Sequence, residues 1–361
     1  MGRNWLRVLS ASPDVELVGL VDVNLTAADK AVSDAGLDTV VTGISLTGVA
    51  AKTRAQAVVN VTIPAAHHPV NVEALFAGLP VLCEKPVAPT VSEALSLVAS
   101  SEVSGQLLMI SQSRRYYSTL AALKERVQTL GDIGVITTEF FKAPHFGGFR
   151  EEMEHVLLVD MAIHAFDVAR YLLDQDPVSV YCEEFNPSWS WYAGDAAATA
   201  VFEMSSGVRY VYTGSWCSDG FETSWNGNWR VSGSRGTATW DGENEPAIDL
   251  LSTDATSTNA LSTNEPVDSP EEIAGSLAEF IRALRTGQVP SGEVRANVLS
   301  LAMVEAAVQS SETGKKVRIE QVINEAHKTA VVNERRPEVR AVLAAWTSPS
   351  LALRTPIAVG R

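Results

Sequence analysis

The apolar positions of this chain follow two periods in turn. Residues 58–89 show the first. A short apolar run, 58–61, ends at Thr62-Ile63-Pro64. A helical stretch follows with Val70, Val72, Leu75 and Phe76 as its apolar face, and Gly78 closes it. A second apolar run, 79–83, leads into Glu84-Lys85-Pro86. Strand, helix and strand in so few residues predict a βαβ unit with parallel strands. Ligands of such sheets bind at the carboxyl ends of the strands, where Thr62, Pro64, Glu84 and Lys85 fall.

The flanking pattern extends the unit. Residues 1–9 read as a helix, 15–21 as a strand ending in Asp22, and 26–35 as a helix with Thr26 at its N-cap. Residues 38–57 carry a weak pattern. Thr90 and Glu93 form a capping box for another helix, and 107–110 is a further strand. A helix over 120–130 stops at Gly131-Asp132-Ile133-Gly134. Beyond Gly134 the period shortens to that of strands, over 135–141, 178–185, 197–204, 208–216 and 229–232. The Ser/Thr-rich stretch 252–262 reads as a long loop or solvated hairpin. Helices return at 270–285 and 296–311.

The expected fold is α/β. A Rossmann-type domain (1–115), apparently without its first strand, precedes an α+β domain (116–319) with a large, mostly antiparallel open sheet. A helical tail (320–361), interrupted at Pro337 and expected to be disordered at its end, completes the chain.

An α/β sheet ordinarily opens with a strand and a G-x-G-x-x-G loop, with an acidic residue about 20 positions on that holds the adenine ribose. Gly2 and Asp22 stand at that interval, so Met1-Gly2 reads as the tail of a glycine loop whose first glycines lie upstream. Asp22 accepts from both ribose hydroxyls and repels a 2′-phosphate. No Arg follows in Val23-Asn24-Leu25, so the expected cofactor is NAD rather than NADP.

Composition narrows the function. At 361 residues two domains are the default. A formal net charge of −15 argues against nucleic acid and anionic membranes as partners. No apolar run approaches a membrane span. Three scattered cysteines suit reduced thiols in a cytoplasm, with no zinc site and no metal expected.

Residues 153–174 are the second informative stretch, read as one long apolar helix. Asp160, His164, Asp167 and Tyr171 recur at i, i+4, i+7 and i+11, so they share a stripe. A solvated face is the common fate of such a stripe. Here the rest of the helix is so apolar that the stripe needs partners or a ligand. Lys85 is a second candidate, pinned by Pro86 at the end of a buried-type strand.

Thr62-Ile63-Pro64 with His68, Cys83-Glu84-Lys85-Pro86, Arg115-Tyr116, Gly131-Asp132-Ile133-Gly134, and the Asp160/His164 pair with Asp167 together resemble the Gfo/Idh/MocA family of nicotinamide-dependent oxidoreductases. The resemblance spans about residues 1–317. It implies hydride transfer between NAD and a CH–OH group of a sugar, inositol or related polyol, and a homo-oligomer, dimer or tetramer, built through the open sheet. It also implies Lys85 and His164 as catalytic residues accompanied by Asp160. Thr62, Pro64, His68 and Glu84 would lie along the nicotinamide, and Arg115 and Tyr116 would flank the substrate. Met153-Glu154-His155-Val156-Leu157-Leu158 replaces the glycine-rich run common before the Asp, which marks a subgroup. Arg150 and Trp191 are candidates for its sugar-binding wall. Two alternatives stay open: a non-catalytic sugar or dinucleotide sensor, and an inactive chain lacking an upstream strand and phosphate loop.

Overall fold

The computed structural model describes residues 1–251 and 269–354. It divides into two compact units: Met1–Gln112 with Ile273–Val298 and Ile323–Arg361, and Ser113–Glu272 with Leu299–Val322. The boundary thus falls at Gln112/Ser113 rather than after Arg115.

In the first unit, helix α1 (Gly2–Ala11) leads to β1 (Gly19–Val21), α2 (Leu25–Asp34), β2 (Val41–Gly43), α3 (Leu46–Thr53) and β3 (Val58–Asn60). Then come α4 (Pro64–Phe76), β4 (Val81–Glu84), α5 (Val91–Ser104) and β5 (Leu108–Ser111). All strand pairs are parallel, as short βα crossovers require, but they form two sheets, β1-β2 and β3-β4-β5. A doubly wound sheet places a central strand between two such groups; among the described residues no strand fills that position. The core lies on β4, β5 and α5, where Val81, Leu82, Leu95, Leu97, Leu108 and Ile110 are fully buried. Gly19 and Gly43 let α3 press close, since a Cβ on either would meet a Val49 methyl at 2.5 Å.

Several local readings are corrected. The cap of α2 is Asn24, whose side chain accepts from the Ala27 amide at 3.1 Å, not Thr26. The weak stretch 38–57 holds β2 and α3, which are short and only half-buried, so their period was faint. The buried face of α4 is His67, Asn71, Ala74 and Leu75, one position off the face read from its valines. Thr90 caps α5, with the Glu93 amide donating to Thr90 Oγ1 at 3.2 Å, while the Glu93 carboxylate accepts from the Thr90 hydroxyl at 3.2 Å in place of the Thr90 amide that a capping box uses.

In the second unit, α6 (Ser118–Thr129) precedes β6 (Ile133–Phe141). A π-helical turn, Leu157–Ala162, runs into α7 (Ile163–Leu173). The strands β7 (Pro177–Phe185), β8 (Ala197–Met204), β9 (Arg209–Ser215), β10 (Asn228–Gly233), β11 (Gly236–Trp240) and β12 (Ala247–Leu250) follow. With β13 (Val317–Arg318) they form an eight-stranded sheet of order β12-β11-β10-β6-β9-β8-β7-β13. Only β6 and β9 pair in parallel; every other neighbouring pair is antiparallel. Phe166 of α7 seats on this sheet edge-on to Phe202, centroids 4.8 Å apart. The last three strands were not legible because they are short and carry few large apolar residues. Residues 252–262, expected as a loop or hairpin, lie outside the described residues.

The remaining helices are α8 (Glu272–Thr286), α9 (Val294–Thr313), α10 (Ile319–Asn333), α11 (Pro337–Ala345) and α12 (Pro349–Ala352). The expected tail is not an appendage from Ile323 onward. That part belongs to the first unit, where α11 packs on α5 and buries Val339 and Leu343. Val339 and Leu343 stand at i and i+4 and so share the buried face of α11. The chain end, 355–361, lies outside the described residues.

Candidate active site

The first unit gathers its candidates at the carboxyl ends of its strands. Asp22 follows β1 and is exposed; its Oδ1 accepts from the Asn24 amide at 2.8 Å, and its own amide donates to the Gly43 carbonyl at 3.1 Å. The N-terminus of α1, at Gly2, carries no side-chain cap, and the Asn4 and Trp5 amides donate to the Met1 carbonyl at 2.9 and 3.2 Å; a helix N-terminus of this kind favours an anion. Beyond β3, Asn60 organises the loop. Its Oδ1 accepts from both the amide and the hydroxyl of Thr62, at 3.1 and 2.8 Å, while its Nδ2 donates to Asn71 on α4. Pro64 opens α4, where a missing N–H costs nothing. Lys85 is half-buried and joined to Pro86 by a cis peptide bond.

Two residues assigned to the cofactor are engaged elsewhere. Glu84 is buried; its Oε1 accepts from Trp5 Nε1 at 2.7 Å and its Oε2 from the Lys85 amide at 3.2 Å. It fastens α1 to the end of β4. His68 turns toward α5, its Nε2 3.0 Å from Ser96 Oγ, which in turn donates to Glu334.

The histidine at the loop is His67. Its Nδ1 lies 2.6 Å from the Pro86 carbonyl and its Nε2 3.0 Å from that of Thr62, so one ring joins both candidate loops. Burial lowers its pKa below the ordinary 6.5, against the two carbonyls, which raise it. The sequence signal was the helical register. Pro64 fixes the start of α4, and His67, Asn71, Ala74 and Leu75 then fall on one face.

In the second unit the helix over 153–174 is not uniform. Its first part is the π-turn, the kind of interruption frequent at functional sites. The predicted stripe divides between two surroundings. Asp160 and His164 are half-buried, whereas Asp167 is buried in a different cluster. Arg115 grips Asp167 in a fork, Nε to Oδ2 at 2.7 Å and Nη2 to Oδ1 at 2.6 Å. Ser300 donates to the same Oδ1 at 2.8 Å and receives a bond from Arg170. Arg115 is therefore spent on the fold rather than left for substrate.

Its neighbour Arg114 takes the position beside His164. Both line a small cavity of about 10 Å³ with Met161, Tyr212, Trp225, Asn226 and Trp229. Arg114 donates to Asn226 and to the Trp225 carbonyl, and burial pulls its pKa down to about 10, which leaves it charged at neutral pH. Arg150 bonds Asp160, Nε to Oδ2 at 2.8 Å, and its guanidinium lies over Phe146 and Phe149. Trp191 stacks on His145 at 3.8 Å. Tyr116 sits in the 3₁₀ turn Ser113–Tyr116, next to both arginines.

A parallel-stranded βαβ unit together with a helix-on-open-sheet unit is the two-unit architecture of the family models that match this chain. The profile described as an oxidoreductase family NAD-binding Rossmann fold matches residues 1–112, and that of the GFO/IDH/MocA C-terminal domain matches residues 120–239. The chain belongs to the Gfo/Idh/MocA oxidoreductase family, a family of sugar and polyol oxidoreductases whose cofactor is NAD. Among similar proteins are a D-apiose dehydrogenase of Paraburkholderia graminis and an inositol 2-dehydrogenase of Rhizobium meliloti. The first is 27% identical over 69% of each chain. The second is 24% identical over 88% of this chain and 96% of its own. An Agrobacterium radiobacter oxidoreductase, solved with NAD+, L-tartaric acid and magnesium, has the same fold at TM-score 0.75. It is 18% identical and covers 88% of this chain and 95% of its own. Among the described residues no helix is long and apolar enough to cross a membrane.

The residues present fit an NAD cofactor in two features: an exposed carboxylate after β1 and a helix N-terminus without a side-chain cap.

Proposed function

We propose that this protein is an NAD-dependent dehydrogenase acting on a CH–OH group of a sugar, inositol or related polyol. NAD, when bound, supplies the hydride acceptor. In this reading Asp22 holds the ribose, the α1 terminus at Gly2 takes phosphate, and Thr62 and Pro64 shape the loop along the cofactor, with His67 replacing His68 as the histidine that sets that loop. His164 accepts the proton of the substrate hydroxyl. Lys85 donates a hydrogen bond to the substrate oxygen as negative charge develops on it. Asp160, held by Arg150, orients the hydroxyl or the imidazole. Tyr116 and Trp191 contact substrate.

The observation that carries the catalytic part is the surroundings of His164. It lines the cavity together with Arg114, Met161, Tyr212 and Asn226, on the helix that also carries Asp160. The outer sheet face supports a homo-oligomer. Tyr181, Val201 and Val211 stand in adjacent register on β7, β8 and β9, and Tyr181 and Val201 are exposed.

The test is turnover of a panel of inositols, aldoses and sugar acids, read by NADH absorbance. His164→Ala and Lys85→Ala are expected to keep NADH binding, followed by tryptophan fluorescence, and to lose about 10²–10⁴-fold in turnover. Near-normal turnover in both variants overturns the assignment.

A further inference from the structure

One cluster of the second unit takes no part in this chemistry. His155, Glu184 and Asp195 each offer one ligand atom, and the three atoms lie within 4.8 Å of one another. They come from three places in the chain: the residues before the π-turn, the end of β7, and the loop into β8. The backbone holds those places together. The Asp195 amide donates to the Glu154 carbonyl at 2.7 Å, and Gly194 lies so close that a Cβ there would stand 2.2 Å from the same oxygen. His155 and Asp195 are thus fixed relative to each other by main-chain contacts, not by flexible side chains alone.

Glu184 points to what the cluster is for. Its side chain is 1% exposed. Oε2 is well supplied, by His155 Nδ1 at 2.7 Å and Ser311 Oγ at 3.0 Å. Oε1 is buried and no donor among the described residues reaches it. A buried carboxylate oxygen left unpaired is costly, and a second carboxylate from Asp195 beside it adds repulsion. Glu312 brings a third, its Oε1 3.6 Å from His155 Nε2. One imidazole cannot neutralise this set of acids. A divalent cation does, and it also gives the orphaned oxygen a partner.

We propose that His155, Glu184 and Asp195 form a binding site for a divalent transition-metal ion, with zinc the best match. One imidazole nitrogen with carboxylate oxygens is a donor set for zinc or manganese rather than for the all-oxygen magnesium and calcium. Zinc ligands at about 2.0–2.2 Å stand about 3.3 Å apart in a tetrahedron, so side-chain adjustment from separations within 4.8 Å closes the shell. Three protein ligands leave a fourth position, within reach of Glu312 or water. The ion clips β7 and the β8 loop to the residue five before Asp160, which anchors the start of the segment carrying Asp160 and His164. It is a structural clip and supplies no step of the reaction.

The test is elemental analysis of the purified full chain, then chelation and titration of the stripped protein with Zn²⁺, Mn²⁺ and Mg²⁺ by calorimetry. The expected result is uptake of one equivalent of Zn²⁺, weaker Mn²⁺ and no Mg²⁺, with a rise in Tm on reloading. His155→Ala and the milder Asp195→Asn each lose that uptake; the second covers the case in which the first fails to fold. Absence of stoichiometric binding of Zn²⁺ and Mn²⁺ to a folded chain overturns the proposal. So does uptake unchanged in a folded Asp195→Asn or His155→Ala chain.

Discussion

Arg150 donates from Nε to Oδ2 of Asp160 at 2.8 Å and so ties the loop after β6 to the π-turn that carries Asp160. The guanidinium is also placed over two phenylalanine rings, which fix its plane. Arg150 therefore acts on Asp160 as a positioning residue, in addition to any contact of its own with substrate.

Arg150→Ala removes that hold on Asp160. Displacement by about 1 Å near reacting groups costs on the order of 10²-fold in rate. The expected outcome is a fall in kcat of that order, with NADH affinity unchanged. Arg150→Lys, which keeps the charge but not the planar stacking, recovers part of it. A change in KM alone would place Arg150 on the substrate instead.

Arg115 and Asp167 make a different prediction, because both are buried and paired in a fork. Arg115→Ala strands a buried carboxylate and is expected to cost about 3–5 kcal/mol of stability. Arg115→Ala with Asp167→Asn recovers part of that loss. Urea unfolding of the three variants measures it. If Arg115 were a substrate ligand, as its motif implies, Arg115→Ala would raise KM and leave the urea midpoint in place.

These cases show where sequence reading stops. Parallel βαβ units, the long antiparallel strands and the Asp160/His164 helix were legible, because periods of two and of about 3.6 residues are physical consequences of those elements. Which of two adjacent residues faces a site was not. His67 rather than His68, and Arg114 rather than Arg115, depend on where a helix starts and how a 3₁₀ turn is wound. A single residue rotates a side chain by about 100° on a helix. The π-turn was invisible for the same reason. It adds one residue to a turn without changing composition. Glu84 was misread because its partner, Trp5, lies 79 residues away, and no local pattern announces such a pair.

The outer face of the eight-stranded sheet predicts an assembly. Val201 pairs in register with Tyr181 on one side and Val211 on the other, which makes an apolar row across three strands. Val201→Glu puts a charge in the middle of that row, where burial against another copy becomes unfavourable. Light scattering coupled to size exclusion is expected to show an oligomer for the native chain and dissociation for the variant, with far-UV circular dichroism retained. A native chain that runs as a monomer at assay concentration removes this role for the face.

His67 predicts how the first unit responds to acid. Its ring bridges the carbonyls of Pro86 and Thr62, but a neutral imidazole has one N–H and can donate to only one of them. The imidazolium would satisfy both, yet burial dominates and lowers the pKa below 6.5. The unfolded chain therefore binds the proton more readily than the folded one. Stability then rises with pH between the lowered folded value and about 6.5, and it is lost as pH falls through that window. His68 is lowered by burial as well and adds in the same direction. Thermal melts at pH 5 and pH 7.5 are expected to show a lower Tm at the acid end. His67→Gln has no proton to gain, so its drop in Tm between the two pH values should be smaller, although its Tm at pH 7.5 is lower through the lost bridge. An equal drop in the variant and the native chain would assign the acid response to groups other than His67.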